Sequence, residues 1–573
     1  MSLELNLIEI PEPELLFGYG QSMEHPKDGL LLYGPKESPQ AGSKLRIGVV
    51  STKEGLRRYS ACVARLGKPI APALADNPNH TLFPGFQALF GVEWPAQPAT
   101  WLEIDAAELA NAIRISDRHQ AIHKAVSLYS DAIAGHLRDG SESTIDLWMA
   151  VVPEEVHKYC RPQSKVEASQ KQRSGVLMDK AAATRLLKAP GLFEEDNASA
   201  EIYLYELDFH NQLKARLLEH KAAVQVVRET TLAPEEFVRD NGMPGRGLQD
   251  PATLAWNLAT TCFFKAGGKP WQLAASRPGV CYVGIVFKKD SSSAEPGNAC
   301  CGAQMFLDSG DGVVFRGAVG PWITSTKDDF HLPKEKAKSL MAMVVDAYRK
   351  NHGGLAPEEL FIHGKTRFSA EEWEGFKETV PPETNVVCVR IRQDAGMKLY
   401  RHGTMNIARG VGWVKSQWMA YLWTKGFVPR LQTYAGREVP NPLSIEICRG
   451  VADIKQVMAD VLALTKLNYN ACIFGDGVPV TLRFADAVGE ILTAAPRKNE
   501  LPPLAVPLLH LRRKRQWTNK RKGGNKCSDC NCARSFGERG SEARRSTSPT
   551  RPRPARWTWG LRPSFASHIR QSI

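Results

Sequence analysis

From residue 44 onward, apolar runs that read as strands alternate with segments whose apolar residues recur every three to four positions. "KLRIGVVST" is a strand ending in polar residues, and "KEGLRRYSACVARL" follows with helical spacing. "GFQALFGVEW" reads as a second strand, "AIHKAVSLYSDAIAGHL" as a helix and "IDLWMAVVP" as a buried strand. "FHNQLKARLLEHK" places Phe209, Leu213, Leu217 and Leu218 on one helical face, and the short strand "AVQVVRE" comes next. "LAWNLATTCFFKAGG" closes as a helix at Gly267 and Gly268. Strands that alternate with helices predict a mainly parallel sheet covered on both faces.

A second unit begins near residue 280, after the linker "GGKPWQLAASRPG". "GVCYVGIVFKK" is a strand, and "CCGAQMFLDSGDGVVFRGAV" reads as a hairpin turning at "SGDG". An amphipathic helix, "KEKAKSLMAMVVDAYRKNHG", leads to the strand "LFIHG", the helix "SAEEWEGFKETV" and the strand "NVVCVRI". "ADIKQVMADVLALTKL" and "LRFADAVGEILTAA" supply two late helices. That order is the order of an RNase H-like unit, although many α/β folds share it. The expected division is an N-terminal segment over 1–43, units over 44–275 and 276–510, and a tail over 511–573.

Net charge is +13, and its location matters more than its size. Residues 511–573 hold 17 Lys and Arg against 3 Asp and Glu, a net of +14, which leaves −1 on residues 1–510. A nucleic-acid site in the body must therefore come from local placement of cations. The tail, with "RRKRQWTNKRKGGNK" and "RRSTSPTRPRPARW", has no helical or strand period and is expected to be disordered. Its "CSDCNC", with Cys527, Cys530 and Cys532, lacks an evident second ligand pair and is not read as a zinc site. The other cysteines, such as Cys62, Cys388 and Cys472, sit mostly singly in apolar runs, as thiols do in a reducing cytoplasm. No secretory signal and no apolar run of membrane-spanning length is evident, and no G-x-G-x-x-G turn opens a helix after a strand.

Four polar residues of the first unit form a candidate phosphate site. His210 and Lys214 lie four apart on one helix face, Gln225 sits in the next strand, and Lys265 ends the next long helix. Two ammonium groups, an imidazole and an amide together suit a terminal phosphate. Taken singly, Lys214 also fits a solvated cation and His210 a capping or core histidine.

These residues carry a family resemblance. "H-x-x-x-K", then glutamine, then lysine before "GG-x-PW", resembles the guide-binding MID domain of Argonaute proteins, with His210 where tyrosine often stands. The second unit resembles the PIWI domain, through "CYVGIVFKK", "LFIHGKTRF", "KLYRHGT", "VPNPLSIEI" and "LTKLNYNACIFGDGVPVTLRFADAVGEIL" in the family's order. The resemblance covers about residues 10–510, without room for the N and PAZ domains of long Argonautes. "PELLFGYGQSMEHPKDGLLLYGP", "KYCRPQS", "NACCGAQMFLDSGDG" and "FIHGKTRF" are most similar to short Argonautes paired with TIR-APAZ proteins, the SPARTA systems.

The resemblance implies an α/β chain: a Rossmann-like MID domain, an RNase H-like PIWI domain and the basic tail. It implies that His210, Lys214, Gln225 and Lys265 hold the 5′ phosphate of a guide RNA that pairs with single-stranded DNA. It further implies a heterodimer with a TIR-APAZ partner, which assembles further on target binding and hydrolyses NAD in defence against plasmids or phage. Active PIWI domains cut with several carboxylates and two divalent ions. Here those places carry Val286, Gly364 or Lys365, and only Asp486 is acidic, so no catalytic metal and no cutting are expected. Asp486 also reads as a helix-surface acid. Arg367, Arg401 and His402 are candidates for a nucleic-acid channel and equally fit solvated positions. In the family the chain ends soon after "PPLAF"-like residues, and its terminal carboxylate lies near the guide phosphate and its Mg²⁺. "PPLAVPLLHLRRKRQW" diverges after Ala505 and runs on, so Mg²⁺ at the guide phosphate would have to be held without that carboxylate. A guide-dependent nuclease with atypical ligands, and a subunit for a sirtuin-type APAZ partner, remain as alternatives.

Overall fold

The computed structural model describes residues 6–39, 43–74, 80–140, 144–172, 178–220, 222–243, 245–290, 297–306, 311–320, 330–403, 405–434, 436, 438–496 and 505–507. The basic tail over 511–573, with its three cysteines, lies outside the described residues. Three short strands open the chain: β1 (Leu7–Glu9), β2 (Leu15–Leu16) and β3 (Ser22–Met23).

The first α/β unit is a four-stranded, all-parallel sheet of β4 (Ile47–Ser51), β5 (Thr100–Glu103), β6 (Leu147–Val152) and β7 (Val224–Arg228), in the order β5-β4-β6-β7. Every residue of β4 and β6 is buried, which is why both read as unbroken apolar runs. The main helices are α1 (Lys53–Leu66), α2 (Arg118–Arg138), α3 (Phe209–Leu217) and α4 (Pro251–Lys265). Each starts where its cap dictates: Thr52, Asp117, Asp208 and Asp250 accept from backbone N–H groups two or three residues into the helix.

One sequence reading is corrected here. The segment expected to be the second strand, "GFQALFGVEW", contains the helix Phe86–Phe90, and the second strand of the sheet is β5. Phe86, Leu89 and Phe90 lie at i, i+3 and i+4 and are at most 2% exposed, a helical period too short to recognise in so apolar a run.

The second unit adds β8 (Gln272–Leu273), β9 (Val280–Asp290), β10 (Gly297–Phe306), β11 (Asp311–Gly320), β12 (Glu359–Gly364), β13 (Asn385–Gln393), β14 (Val411–Ser416), β15 (Met419–Leu422), β16 (Leu443–Arg449) and β17 (Ala505–Pro507). Its helices include α5 (Lys334–Asn351), α6 (Ala370–Thr379), α7 (Ile454–Leu464) and α8 (Val480–Leu492). A ten-stranded mixed sheet runs β1-β14-β15-β16-β13-β12-β9-β10-β11-β17. β9, β12 and β13 run parallel to one another, while β9-β10-β11 is an antiparallel meander. Ser369 and Glu372 close a reciprocal capping box at the start of α6. The result is an α/β chain with a Rossmann-like unit followed by an RNase H-like one.

Neither the N-terminal segment nor the linker is a loose attachment. β1 is the edge strand of the ten-stranded sheet, and β2 pairs with both β3 and β8. Glu12 meets two cations of the second unit, Arg409 at 2.9 Å and Lys466 at 2.7 Å. In the linker, Trp271 is fully buried and donates to the Lys466 carbonyl at 3.0 Å. One hydrophobic core runs through both units: Phe90 stacks on Phe263 at 4.2 Å, and Phe264 meets Tyr469 at 4.5 Å. Among the described residues no helix is long and apolar enough to cross a membrane.

Candidate nucleic-acid interface

The four residues singled out in the first unit are brought to one place. His210 and Lys214 stand one turn apart on α3, Gln225 is the second residue of β7, and Lys265 is the last of α4. Lys265 Nζ donates to Gln225 Oε1 at 2.7 Å and to the Val224 carbonyl at 3.0 Å. Gln225 Nε2 turns back to the Val226 carbonyl at 2.9 Å, which fixes the amide with its oxygen toward Lys265. His210 Nδ1 lies 3.0 Å from Asn211 Oδ1 at the rim.

The electrostatics of this cluster are unusual for lysines. Burial pushes Lys265 down to about 8, and burial and then the Lys265 charge push Lys214 down to about 7. His210 reaches solvent, yet partial desolvation of its ring, and after it the Lys214 charge, holds it down to about 4. Lys214 has no hydrogen-bond or ion-pair partner among the described residues. Like charges close together in a partly desolvated site repel one another. An ammonium pair with no carboxylate partner among the described residues is chemically suited to an anion, and a dianion would relieve the repulsion. The oxygens within the cluster are an amide and a carbonyl, and no carboxylate pairs with either lysine among the described residues. Mg²⁺ prefers carboxylate oxygens, so these four residues do not by themselves fit one.

In the second unit the sequence-derived positions also meet. β9 and β12 pair in parallel with Gly364 opposite Ile285, one residue before Val286. Val286 is buried, 3% exposed, against α8. The Lys365 ammonium is ion-paired to Asp486 of α8, and Lys288 reaches the other Asp486 oxygen at 3.3 Å and Glu490 at 3.2 Å. Lys288 was not anticipated, but strand alternation carries the signal: two residues beyond Val286, it shares that residue's face of β9. Both Asp486 oxygens are therefore taken by ammonium groups. Gly364 has no side chain, and a Cβ there would lie 2.7 Å from the Phe368 ring. This donor set does not fit a pair of divalent ions. Neighbouring His363 is buried and bonded to Thr481 at 3.0 Å, and burial holds it down to about 3, which makes it a core histidine.

The channel candidates fare differently. Arg367 pairs with Glu446 at 2.7 Å, a carboxylate that Arg390 also reaches at 3.0 Å. Arg401 is half-buried and His402 exposed on the segment after β13.

No family model matches the sequence, and no curated protein matches it. Among solved structures, the fold is similar to Clostridium butyricum Argonaute bound to a guide DNA (5′ deoxycytidine) and a 19-mer target DNA, with a TM-score of 0.56 at 13% identity. That likeness covers 88% of this chain and 55% of the other. Aa-Ago with externally bound siRNA gives a TM-score of 0.49 at 13% identity, over 88% of this chain and 56% of that one. The chain thus shares the fold of that Clostridium butyricum Argonaute and spans little more than half its length.

Proposed function

We propose that this chain is an RNA-guided sensor of single-stranded DNA that does not cut its target. The observation that carries the reading is the Lys214–Lys265 pair, two half-buried ammonium groups with no carboxylate partner among the described residues, completed by His210 and Gln225. In this reading they grip the 5′ phosphate of a guide RNA, and base pairing along the rest of the guide reads the target. The likeness to an Argonaute carrying guide and target strands supports a guided mode of binding. The absence of cutting is supported by the pairing of Asp486 with Lys288 and Lys365, because ammonium groups stand where an active PIWI domain would need metal ions.

The likeness to that Argonaute covers 55% of its length. The short-Argonaute resemblance points to a cytoplasmic TIR-APAZ partner, whose NAD hydrolysis, triggered by target binding, would serve defence against plasmids or phage. Co-expression with the product of the adjacent gene, followed by sequencing of co-purified nucleic acid and an NAD hydrolysis assay, tests this. Bound 5′-phosphorylated RNA and target-dependent NAD loss are expected. A sirtuin-type partner would move the effector, and guide-dependent cleavage of labelled target in Mn²⁺ would overturn the non-cutting assignment.

A further inference from the structure

A second cationic site lies at the opposite end of β7. Val224 and Gln225 open that strand beside Lys265, and Arg228 closes it, three residues and so about 10 Å further along. The carboxyl edge of a parallel sheet is where open α/β folds bind ligands. There, Arg228 Nη1 and Arg161 Nη1 stand 3.3 and 3.4 Å from the same atom, His157 Nε2. Two guanidinium groups can share only an unprotonated ring nitrogen, so this imidazole is neutral and accepts. Burial, then Arg228 and Arg161, lower its pKa in keeping with that. Glu154 holds Arg228 through two contacts, one at 3.0 Å, and also receives Thr230 Oγ1 at 3.1 Å. Arg246 donates to Thr231, while its Nε is buried with no partner among the described residues. Three guanidinium groups thus gather around one imidazole, with Glu154 pairing only Arg228 among them.

We infer that Arg161, Arg228 and Arg246 bind the terminal phosphate of a small phosphorylated ligand, at the point that His157 Nε2 now marks. Convergence of Arg161 and Arg228 on one atom, with the Arg246 charge close by, suits a single phosphate that takes the place of the His157 ring, since guanidinium groups recognise phosphate by forked donation. A polynucleotide backbone would need a stripe of free cations. The neighbouring arginines offer none: Arg57 and Arg58 are paired with Glu54, Glu229 and Glu236, and Arg65 with Glu235.

The test uses the full chain carrying Lys214→Glu, so that the first cluster does not compete. Calorimetric titration with inorganic pyrophosphate and with adenosine diphosphate should show binding. Either probe binding supports the site, and the tighter one identifies a free or a nucleotide phosphate as its source. Adding Arg161→Gln and Arg246→Gln should weaken binding at least tenfold, while the circular dichroism melt stays in place. If the double change disturbs folding, the exposed Arg161→Gln alone serves, with a loss of severalfold expected. Absent binding, or binding unchanged by the arginine changes, overturns the inference. So does a parallel loss of affinity for a 5′-hydroxyl oligonucleotide, which would make the edge a backbone contact.

Discussion

Lys265 Nζ donates to Gln225 Oε1 at 2.7 Å, and this bond joins the end of a helix to the start of a strand across 40 residues of sequence. It holds one ammonium in place beside Lys214, which lacks a partner among the described residues. The guide-binding proposal turns on that asymmetry.

Reversing the free charge should abolish phosphate recognition. Lys214→Glu places an anion against a phosphate in a half-buried site and should weaken binding of 5′-phosphorylated RNA at least tenfold, about 1.4 kcal/mol or more. Binding of the same RNA with a 5′ hydroxyl should change little. Filter binding of the two RNAs checks this, and equal affinity of the variant and the parent for the phosphorylated strand would remove the pocket from consideration.

The depressed lysines make binding pH-dependent. In the free protein Lys214 and Lys265 titrate near 7 and 8, below their ordinary 10.5. A phosphate dianion binds the protonated forms, so affinity should fall as pH rises from 7 to 9, and binding at pH 8 should take up protons. Calorimetry in buffers of different ionisation enthalpy measures that uptake directly. For stability the sign is opposite: unfolding lets both lysines bind protons more readily, so without ligand these groups add stability as pH rises through 7 to 10.

Restoring an acid at the strand end should not restore cutting. Gly364→Asp would place Cβ 2.7 Å from the Phe368 ring, and overpacking of this kind costs about 1–3 kcal/mol. A fall of several degrees in the thermal midpoint is expected, with no guide-dependent cleavage in Mn²⁺. Cleavage by this single variant would show that the Lys288 and Lys365 ammonium groups do not keep divalent ions out.

Removing the carboxylate that ties the N-terminus down should be severe. Glu12 faces Arg409, 3% exposed at its side chain, and Lys466, 0% exposed. Glu12→Gln leaves both cations buried without a carboxylate, a loss of about 3–5 kcal/mol. Denaturant midpoints report this, and a change under about 1 kcal/mol would mean that the segment contributes little to the second unit.

A smaller change tests how α8 is seated. Gly284 lies where a Cβ would approach the Thr481 carbonyl oxygen to 2.2 Å. Gly284→Ala must therefore push α8, with Asp486 on it, away from β9. Loss of soluble protein or a destabilisation of about 2 kcal/mol is expected by differential scanning calorimetry.

Much of this was legible in the residues. Unbroken apolar strands such as "IGVVS" and "LWMAVV" fixed a covered parallel sheet, because only burial on both faces permits them. The spacing of His210 and Lys214 put them on one helix face, because the helix period places side chains predictably. The tertiary structure decided what spacing cannot reach. The Phe86–Phe90 helix was too short and too apolar to show its period. Lys288 and Lys365 meet at Asp486, Arg367 is spent on Glu446, and β1 joins a sheet some 400 residues away in sequence. Each of those depends on which distant groups pack together, and long-range pairing is set by the shared core rather than by any local pattern.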